Sequence, residues 1–347
     1  MMKVTTVGID LAKSVFQVHG VDERGKVVVR KQLKRKDMAS FFANLPPCLI
    51  GMEACGSAHY WARELTKFGH RVRLMAAQFV KAYVKTNKSD RNDAEAICEA
   101  VGRANMRFVP VKTVEQQAVL SVHRARQGFV KARTAQANQI RGLLAEYGIV
   151  IAKGIGHIGK GLPEILEDGE NALPGMMREL LARLGENLKQ MDQQVGELER
   201  QIKLWHCGNE QSRKLEAIAG IGPISASAYV ATLGDVKSFK NARQVPAWLG
   251  MVPRQDGTGG KVKLGRISKR GDVYLRTMLI HGARAVIRQL ERKPDAADGW
   301  LKKLIARRNK NVAAVALAAK NARIAWALLA HECRYEHGYV AKRPATD

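Results

Sequence analysis

The chain has 347 residues, more than one average domain and fewer than three, so two globular parts with connecting structure are expected. Its 58 lysines and arginines oppose 32 acidic residues, and the net charge of +26 indicates a polyanionic partner. Nucleic acid is the first candidate. An anionic membrane is disfavoured because no run of about 18 apolar residues occurs. The apolar fraction of 46% excludes extensive disorder.

The amino-terminal segment and the cysteines narrow the cellular context. The segment MMKVTTVGID reaches an acidic residue too early for a secretory signal, so a cytoplasmic location is expected. The five cysteines include no CxxC or CxxH pair, which argues against structural zinc and against a disulfide framework.

The first third of the chain alternates strand and helix patterns. Residues 4–30 predict three strands, and a charged helix near 37–44 precedes CLIGMEA, an apolar run typical of a strand buried on both faces. The segment AHYWARELTKFG predicts a helix that stops at Gly69, and RVRLMA predicts a further strand. This alternation predicts an α/β domain with a central sheet over residues 1–110.

The middle of the chain, residues 111–210, has long helical patterns. Glycines between 154 and 161 are expected to punctuate the chain and to separate two helical segments. The second segment has apolar residues spaced alternately four and three apart, which predicts a coiled coil that either folds back on the helix of residues 114–147 or is shared with another subunit. The seam comprises Met177, Leu181, Leu184, Leu188, Met191, Val195, Leu198, Ile202 and Trp205.

A second compact domain, mainly helical, is predicted over residues 211–333, followed by a polar tail at 334–347. The segment LEAIAGIGPISASAYVATLG is typical of a helix-hairpin-helix, in which the backbone around Gly220 and Gly222 turns sharply and its N–H groups face a phosphate. A plain interhelical turn is the alternative. The alanine-rich segment VAAVALAAKNARIAWALLA predicts a core helix rather than a membrane span, because Lys320 and Arg323 interrupt it.

A glycine-rich stretch, DGTGGK, is predicted to form a mobile loop among basic residues. Flexible backbone beside clustered cations favours a site that closes on a phosphate, although an ordinary solvated loop is the alternative. The candidate phosphate-binding residues are Arg254, Lys261, Lys263, Arg266, Lys269 and Arg270.

Four acidic residues in the first domain predict a metal site. Asp10 and Glu53 each end an apolar strand, where a carboxylate is costly unless it meets a cation. Asp90 and Asp93 stand three residues apart at the start of a predicted helix, and therefore on one face of it. Carboxylates gathered in this way suit Mg²⁺ or Mn²⁺, and two such ions clamp a phosphodiester during in-line displacement.

Each acid also has a structural explanation. Asp10 can cap the turn into the second strand, and Glu53 can pair with Lys13. Asp90 can be a helix N-cap, with Asp93 stabilised by the helix dipole. The combination of all four acids in an α/β domain of a very basic chain favours the metal site.

The segments VGIDLAKSVFQVH, IGMEACGSAHYWARELTKFGH and KTNKSDRNDAEAICEA closely resemble the DEDD transposases of bacterial insertion sequences, relatives of the Piv DNA invertase. The resemblance extends over nearly the whole chain. It implies a RuvC-like first domain of the ribonuclease H type, with Asp10, Glu53, Asp90 and Asp93 as its metal-binding acids. It also implies a structured guide RNA, encoded by the element, that selects donor and target DNA.

The same resemblance implies a nucleophile in the basic loop of the second domain. The family has a serine just before a glycine there, and counting from Pro253 the matching residue is Thr258. Threonine departs from the family pattern, and its β-methyl group crowds the hydroxyl. Ser268 lies nearby but does not match by position.

The expected function is therefore DNA transposition, with strands cleaved and exchanged through a covalent protein–DNA link. Because the acids and the hydroxyl belong to different domains, a homodimer or a dimer of dimers is expected. One alternative is a RuvC-like nuclease that uses water as its nucleophile. Another is a nucleic-acid-binding remnant without catalytic activity.

Overall fold

The computed structural model describes residues 3–85, 89–292 and 299–336. The chain divides into two compact units, here called the first unit (residues 1–115) and the second unit (residues 116–347). The finer division predicted at residues 110 and 210 stays a prediction. Residues 337–347 of the predicted polar tail lie outside the described residues.

The strands are β1 Thr6–Leu11, β2 Val15–Val21, β3 Val27–Lys34, β4 Leu49–Glu53, β5 Arg71–Met75, β6 Phe108–Val109, β7 Pro253–Thr258 and β8 Lys261–Ile267. The α-helices are α1 Met38–Ala43, α2 Ala58–Lys67, α3 Ala77–Val80, α4 Asp90–Val101, α5 Val114–Ala145, α6 Ile155–Glu167, α7 Gly175–Gly208, α8 Glu210–Leu215, α9 Pro223–Leu233, α10 Gln244–Trp248, α11 Val273–Arg292, α12 Gly299–Arg307 and α13 Lys310–Ala330. Short 3₁₀ helices span Arg35–Asp37, Lys81–Tyr83 and Val236–Ser238.

The first unit is built on a six-stranded mixed sheet in the order β3-β2-β1-β4-β5-β6. β1, β4 and β5 run parallel, while β2, β3 and β6 are antiparallel to their neighbours. One face of the sheet packs against α1 and α2 in a core that includes Phe16, Phe42 and Trp61. The α/β architecture predicted for this region is confirmed, and the five predicted strands are all present.

Helix α4 packs on the other face, and two glycines permit its close approach. A Cβ atom on Gly8 of β1 would lie 2.2 Å from the carbonyl oxygen of Ala94, and one on Gly51 of β4 would lie 2.7 Å from Cβ of Val101. Any larger residue at either position would push the helix off the sheet. These contacts set the distance between α4 and strands β1 and β4.

In the second unit, the long helix α7 folds back along α5 of the same chain. Arg126 donates to the Glu199 carboxylate at 2.6 Å, and Gln136 donates to the Leu184 carbonyl oxygen at 3.0 Å, a pairing that makes the two helices antiparallel. Every second residue of the α7 seam is buried, and the remaining seam residues are half-buried. The buried half comprises Leu181, Leu188, Val195 and Ile202.

The glycine-rich stretch lies between the two long helices α5 and α7, as predicted, but residues 155–161 are helical instead of forming a break. It forms the first half of α6, whose Ile158 and Leu162 are buried in a cluster with residues of α5 and α7. A Cβ on Gly185 of α7 would lie 2.7 Å from Leu162. Burial of this apolar face outweighs the low helix propensity of glycine, about 1 kcal/mol per residue.

Helices α8 to α13 enclose the largest core of the second unit. Within the described residues, α13 alone is long and apolar enough to cross a membrane, but 61% of its apolar window is buried inside the protein. Its alanines pack against α11 and α10, and Tyr229 of α9 donates a hydrogen bond to the Ala322 carbonyl oxygen at 2.8 Å. These contacts are those of a core helix, as the sequence predicts.

Candidate functional site

The two strand-end acids of the first unit face the same helix. Residues two apart in a strand lie on the same face of the sheet, so Asp10 shares the face of Gly8, and Glu53 shares the face of Gly51. Both glycines lie against α4. β1 and β4 are parallel, with Ile9 beside Met52 in the register, so Asp10, the last residue but one of β1, and Glu53, the last residue of β4, lie at the same edge of the sheet.

Helix α4 brings two further acids to this edge. Ser89 caps the helix, its hydroxyl accepting the Asn92 backbone N–H at 3.3 Å, so Asp90 is not the N-cap that one structural explanation required. Carboxylate oxygens of Asp10, Asp90 and Asp93 lie within 4.8 Å of one another. Asp10 and Asp93 are half-buried and Asp90 is exposed, so solvent and a substrate reach the group.

Glu53 does not belong to this group of three, but it lies at the same end of the sheet. Burial raises the pKa of the Cys55 thiol, and the charges of Glu53 and Asp10 raise it further. The structure thus brings together three of the four predicted acids. The assignment of Glu53 as a metal ligand stays a prediction.

The donor set suits a hard divalent cation. All the donor atoms are carboxylate oxygens, which Mg²⁺ and Mn²⁺ prefer. No residue in the described part of the chain forms an ion pair with Asp90 or Asp93, although other acids of α4 are paired: Glu95 with Arg30, and Glu99 with Lys85 and Arg103. Within the described residues, the charges of Asp90 and Asp93 are thus not offset by an ion pair.

The basic stretch of the second unit is a β-hairpin, so the predicted mobile loop is wrong. β7 and β8 pair in register, with Thr258 opposite Lys261 and Asp256 opposite Lys263. The turn consists of Gly259 and Gly260, whose φ angles are 57° and 79°. Two successive residues with positive φ are what a type I′ turn requires, and glycine adopts such angles without steric cost.

The hairpin carries most of the predicted phosphate-binding residues. Thr258 ends β7, and every residue from Pro253 to Arg266 is exposed. Arg254, Lys261, Lys263 and Arg266 lie on the two strands, and Lys269 and Arg270 follow β8. The structure places these residues in one arm, but their contacts with a nucleic acid stay a prediction, as does the role of Thr258.

A buried arginine holds the base of the hairpin and was not predicted. Arg276, 7% exposed, donates through one terminal nitrogen to the carbonyl oxygens of Leu249 at 2.9 Å and Arg270 at 3.0 Å. Gly271 has a φ of 79°, and a Cβ there would lie 1.9 Å from the Trp248 carbonyl oxygen. The two ends of the hairpin are thus fixed to each other and to α11. The sequence gives no spacing signal for this contact.

The glycines of the predicted helix-hairpin-helix have structural roles. Gly220 has a φ of 88°, and a Cβ there would lie 2.8 Å from the carbonyl oxygen of Gly282 in α11. Gly222 is the N-cap of α9, whose first residue is Pro223. The preceding helix, α8, has only six residues. Close packing explains Gly220, and phosphate binding by either glycine stays a prediction.

A buried polar network near the hairpin base was also not predicted. His123 is fully buried; its Nδ1 lies 2.9 Å from the Tyr274 hydroxyl oxygen, and its Nε2 lies 3.1 Å from the Ser227 hydroxyl oxygen. Burial, with a smaller effect of the Arg126 charge, lowers the pKa of His123 to about 4. A neutral imidazole therefore connects α5, α9 and α11.

A Ser-His-Glu arrangement elsewhere in the second unit is structural. His206 lies 2.8 Å from the Ser212 hydroxyl and 3.1 Å from Glu216, distances that a nucleophilic triad would show. Ser212 is completely buried, so no substrate reaches its hydroxyl. The contact instead ties the end of α7 to α8.

The mixed sheet, the acid cluster at its edge and the helical remainder are consistent with a ribonuclease H-like transposase. The DEDD transposase model of the IS110 type matches residues 7–149, and a model described as "Transposase IS116/IS110/IS902 family" matches residues 212–298. The chain belongs to this family of insertion-sequence transposases.

Named relatives match over almost their full length. The chain is 55% identical to a "probable family 20 transposase" of Pseudomonas aeruginosa over 97% of this chain and 100% of the relative. It is 45% identical to the transposase for insertion sequence element IS1111A of Coxiella burnetii, over 97% and 93%. It is 41% identical to the transposase for element IS1328 of Yersinia enterocolitica, over 94% and 97%.

Proposed function

We propose that this protein is a metal-dependent DNA recombinase that cleaves and exchanges the strands of its insertion sequence. The observation that carries the proposal is the convergence of Asp10, Asp90 and Asp93 within 4.8 Å in a member of a transposase family. These residues, together with Glu53, would hold Mg²⁺ or Mn²⁺. Bound ions would offset the negative charge that develops on the scissile phosphate.

The Thr258 hydroxyl is the proposed nucleophile. Its oxygen forms a bond to phosphorus while a deoxyribose oxygen leaves, so the Thr258 proton is lost and the leaving oxygen gains a proton. The phosphodiester is thereby exchanged for a protein–DNA phosphodiester. Attack by a different strand end reverses the step, frees Thr258 and reseals the DNA without an external energy source.

The matched test compares Thr258→Ser and Thr258→Ala in the full chain with Mn²⁺ and element-end DNA. We expect Thr258→Ser to form roughly tenfold more of a DNA adduct that survives denaturant, because the crowding methyl group is removed. Thr258→Ala forms none. An adduct that persists in Thr258→Ala would exclude this nucleophile.

A nuclease that uses water is the second candidate, and threonine in place of the family's serine favours it. In that case the products are free nicked ends, and Thr258→Ala leaves the nicking rate unchanged. A nucleic-acid-binding remnant without catalytic activity is the third candidate. It requires Asp10→Asn to leave every activity as it was. Glu95→Gln, on the same helix as Asp90 and with the same loss of charge as Asp10→Asn, is the control.

We also propose a structured guide RNA as a partner beside donor and target DNA. The net charge of +26 supports a second polyanionic ligand but does not identify it. Sequencing of the RNA that purifies with the protein tests the proposal. We expect one discrete species that matches DNA flanking the gene, and a purified protein free of any such RNA would contradict it.

A homodimer, or a dimer of dimers, is the proposed assembly, located in the cytoplasm. The half-buried seam residues of α7, such as Met191 and Leu198, support it, because contact with α5 leaves part of this apolar face exposed. Light scattering of the protein on DNA measures the assembly directly. A monomer on DNA would contradict the proposal.

A further inference from the structure

A polar row crosses the sheet of the first unit and starts at the acid cluster. In the strand register, Asp10 of β1 lies opposite Gln17 of β2, and Gln17 lies opposite Gln32 of β3. Residues opposite each other in neighbouring antiparallel strands share a face of the sheet, so all three side chains lie on the sheet face that packs against α4. At a strand spacing of about 4.8 Å, the row spans roughly 10 Å and ends at the edge strand.

The row lies two residues along β1 from the point where helix α4 crosses the sheet. The helix begins at Asp90 beside the acids and crosses β1 at Gly8, and Glu95 forms an ion pair with Arg30 of β3 at 3.7 Å. The polar row lies closer than this crossing to the ends of β1 and β3. Gln32 is exposed and Gln17 is half-buried.

The polar groups of the row are available to a ligand. In the described part of the chain, the side-chain amides of Gln17 and Gln32 form no hydrogen bond, and Lys34 forms no ion pair. Lys34 lies on the same face, two residues beyond Gln32, and is exposed. Two free amides and one ammonium group extend from the acids to the edge of the sheet.

We infer that Gln17, Gln32 and Lys34 bind the sugar-phosphate backbone of the DNA strand that enters the acid cluster. Amide N–H groups and lysine ammonium groups are common donors to phosphate oxygens, and such contacts fix the register of a strand without reading its sequence. The inference rests on the proposed function, since it assigns a path to the strand that the acids cleave.

The opposite face of β3 supplies a matched control. Lys31 is adjacent to Gln32 and equally exposed, but it lies on the face of α1, with its ammonium nitrogen 5.4 Å from the centre of the Phe41 ring. Lys31→Ala and Lys34→Ala therefore remove the same charge from the same strand on opposite faces. A purely long-range effect of charge would be the same for both.

Photocrosslinking tests the path directly. p-Benzoylphenylalanine is placed at position 32 or at position 31 in the full chain, and each protein is irradiated with a fluorescein-labelled single-stranded DNA of mixed sequence in Ca²⁺. We expect at least a fivefold higher yield from position 32. Equal yields, or stronger crosslinking to an RNA of the same sequence than to the DNA, would overturn the inference.

Salt-dependent binding gives a second readout with the same DNA. We expect Lys34→Ala to lower the slope of log K against log salt by about 1, because one phosphate contact is lost, and Lys31→Ala to leave the slope unchanged. Equal slopes for the two variants would contradict the path. Neither readout requires DNA cleavage, so the two proposals can fail separately. If Asp10→Asn leaves cleavage intact while position 32 still crosslinks to DNA, the proposed function is wrong and the DNA-binding path is supported.

Discussion

The acid cluster of the first unit and the hairpin of the second unit are anchored to very different extents. Asp10 follows the fully buried Ile9, and Asp93 precedes Ala94, which is 1% exposed, so both carboxylates project from a packed core. The hairpin is exposed from Pro253 to Arg266, and only its base is fixed.

This difference corresponds to two chemical requirements. Several ligands must hold their oxygens within a few tenths of an ångström to bind one ion, which requires rigid elements on several sides. In the proposed reaction, the hydroxyl that attacks and later releases DNA needs a rigid base and a free tip.

The largest effect is expected at the acids. Asp93→Asn should weaken Mn²⁺ binding by at least roughly 100-fold, because it removes a charged group that is proposed to bind the ion directly. Isothermal titration of the full chain with Mn²⁺ measures this, and Glu95→Gln should bind as the native protein does. Native affinity in Asp93→Asn would show that the cluster is not a metal site.

The sequence predicts the acid cluster well because strand geometry carries the information. Apolar runs that end in Asp10 and Glu53 indicate buried strands, and neighbouring parallel strands end at one edge of a sheet. A spacing of three places Asp90 and Asp93 on one helical face. Such a pattern does not give distances between side chains, so the sequence could not predict how far Glu53 lies from the other acids.

The second unit is less predictable because long-range packing overrides local signals. The glycines of α6 indicate a break, yet Ile158 and Leu162 supply enough buried surface to make a helix. The contacts of Arg276 and His123 join residues 27 and 151 positions away, and no local pattern encodes them. The Gly259-Gly260 pair is itself a turn signal, but β7 contains Pro, Asp and Gly, which are uncommon in strands, so the hairpin was not predicted.

Loss of the fixed hairpin base should be the second largest effect. Gly271→Ala places a methyl group 1.9 Å from the Trp248 carbonyl oxygen at a φ of 79°, and we expect destabilisation of about 3 kcal/mol or more. Urea unfolding measures it. Gly196→Ala, in open space within α7, should instead stabilise by about 0.5–1 kcal/mol. If Gly271→Ala and the native chain are equally stable, the base of the hairpin is not held in place by this close contact.

Stability of the second unit should fall in acid because of His123. Its folded pKa of about 4 lies below the unfolded value of 6.5, so the unfolded chain gains a proton first as the pH falls. The contribution is present above pH 6.5 and is lost as the pH falls to 4, on the order of 3 kcal/mol.

The measurement compares the pH dependence of urea unfolding in native protein, His123→Gln and His157→Gln. His123→Gln should lose that part of the slope between pH 6.5 and 4, since glutamine does not titrate. His157→Gln, at an exposed position, should keep it. Identical slopes in all three proteins would place the acid sensitivity elsewhere.

The smallest effect is expected at the hairpin tip. Gly259→Ala imposes a φ of 57° on a residue with a Cβ atom, at a cost of about 1 kcal/mol, and nothing within 4 Å adds a clash. Amide exchange of residues 255–264 should therefore quicken about fivefold, while global unfolding stays unchanged. Gly265→Ala, at an ordinary φ on β8, is the control. If the exchange rates of Gly259→Ala equal the native ones, the tip is a flexible loop and the turn contributes nothing to the position of Thr258.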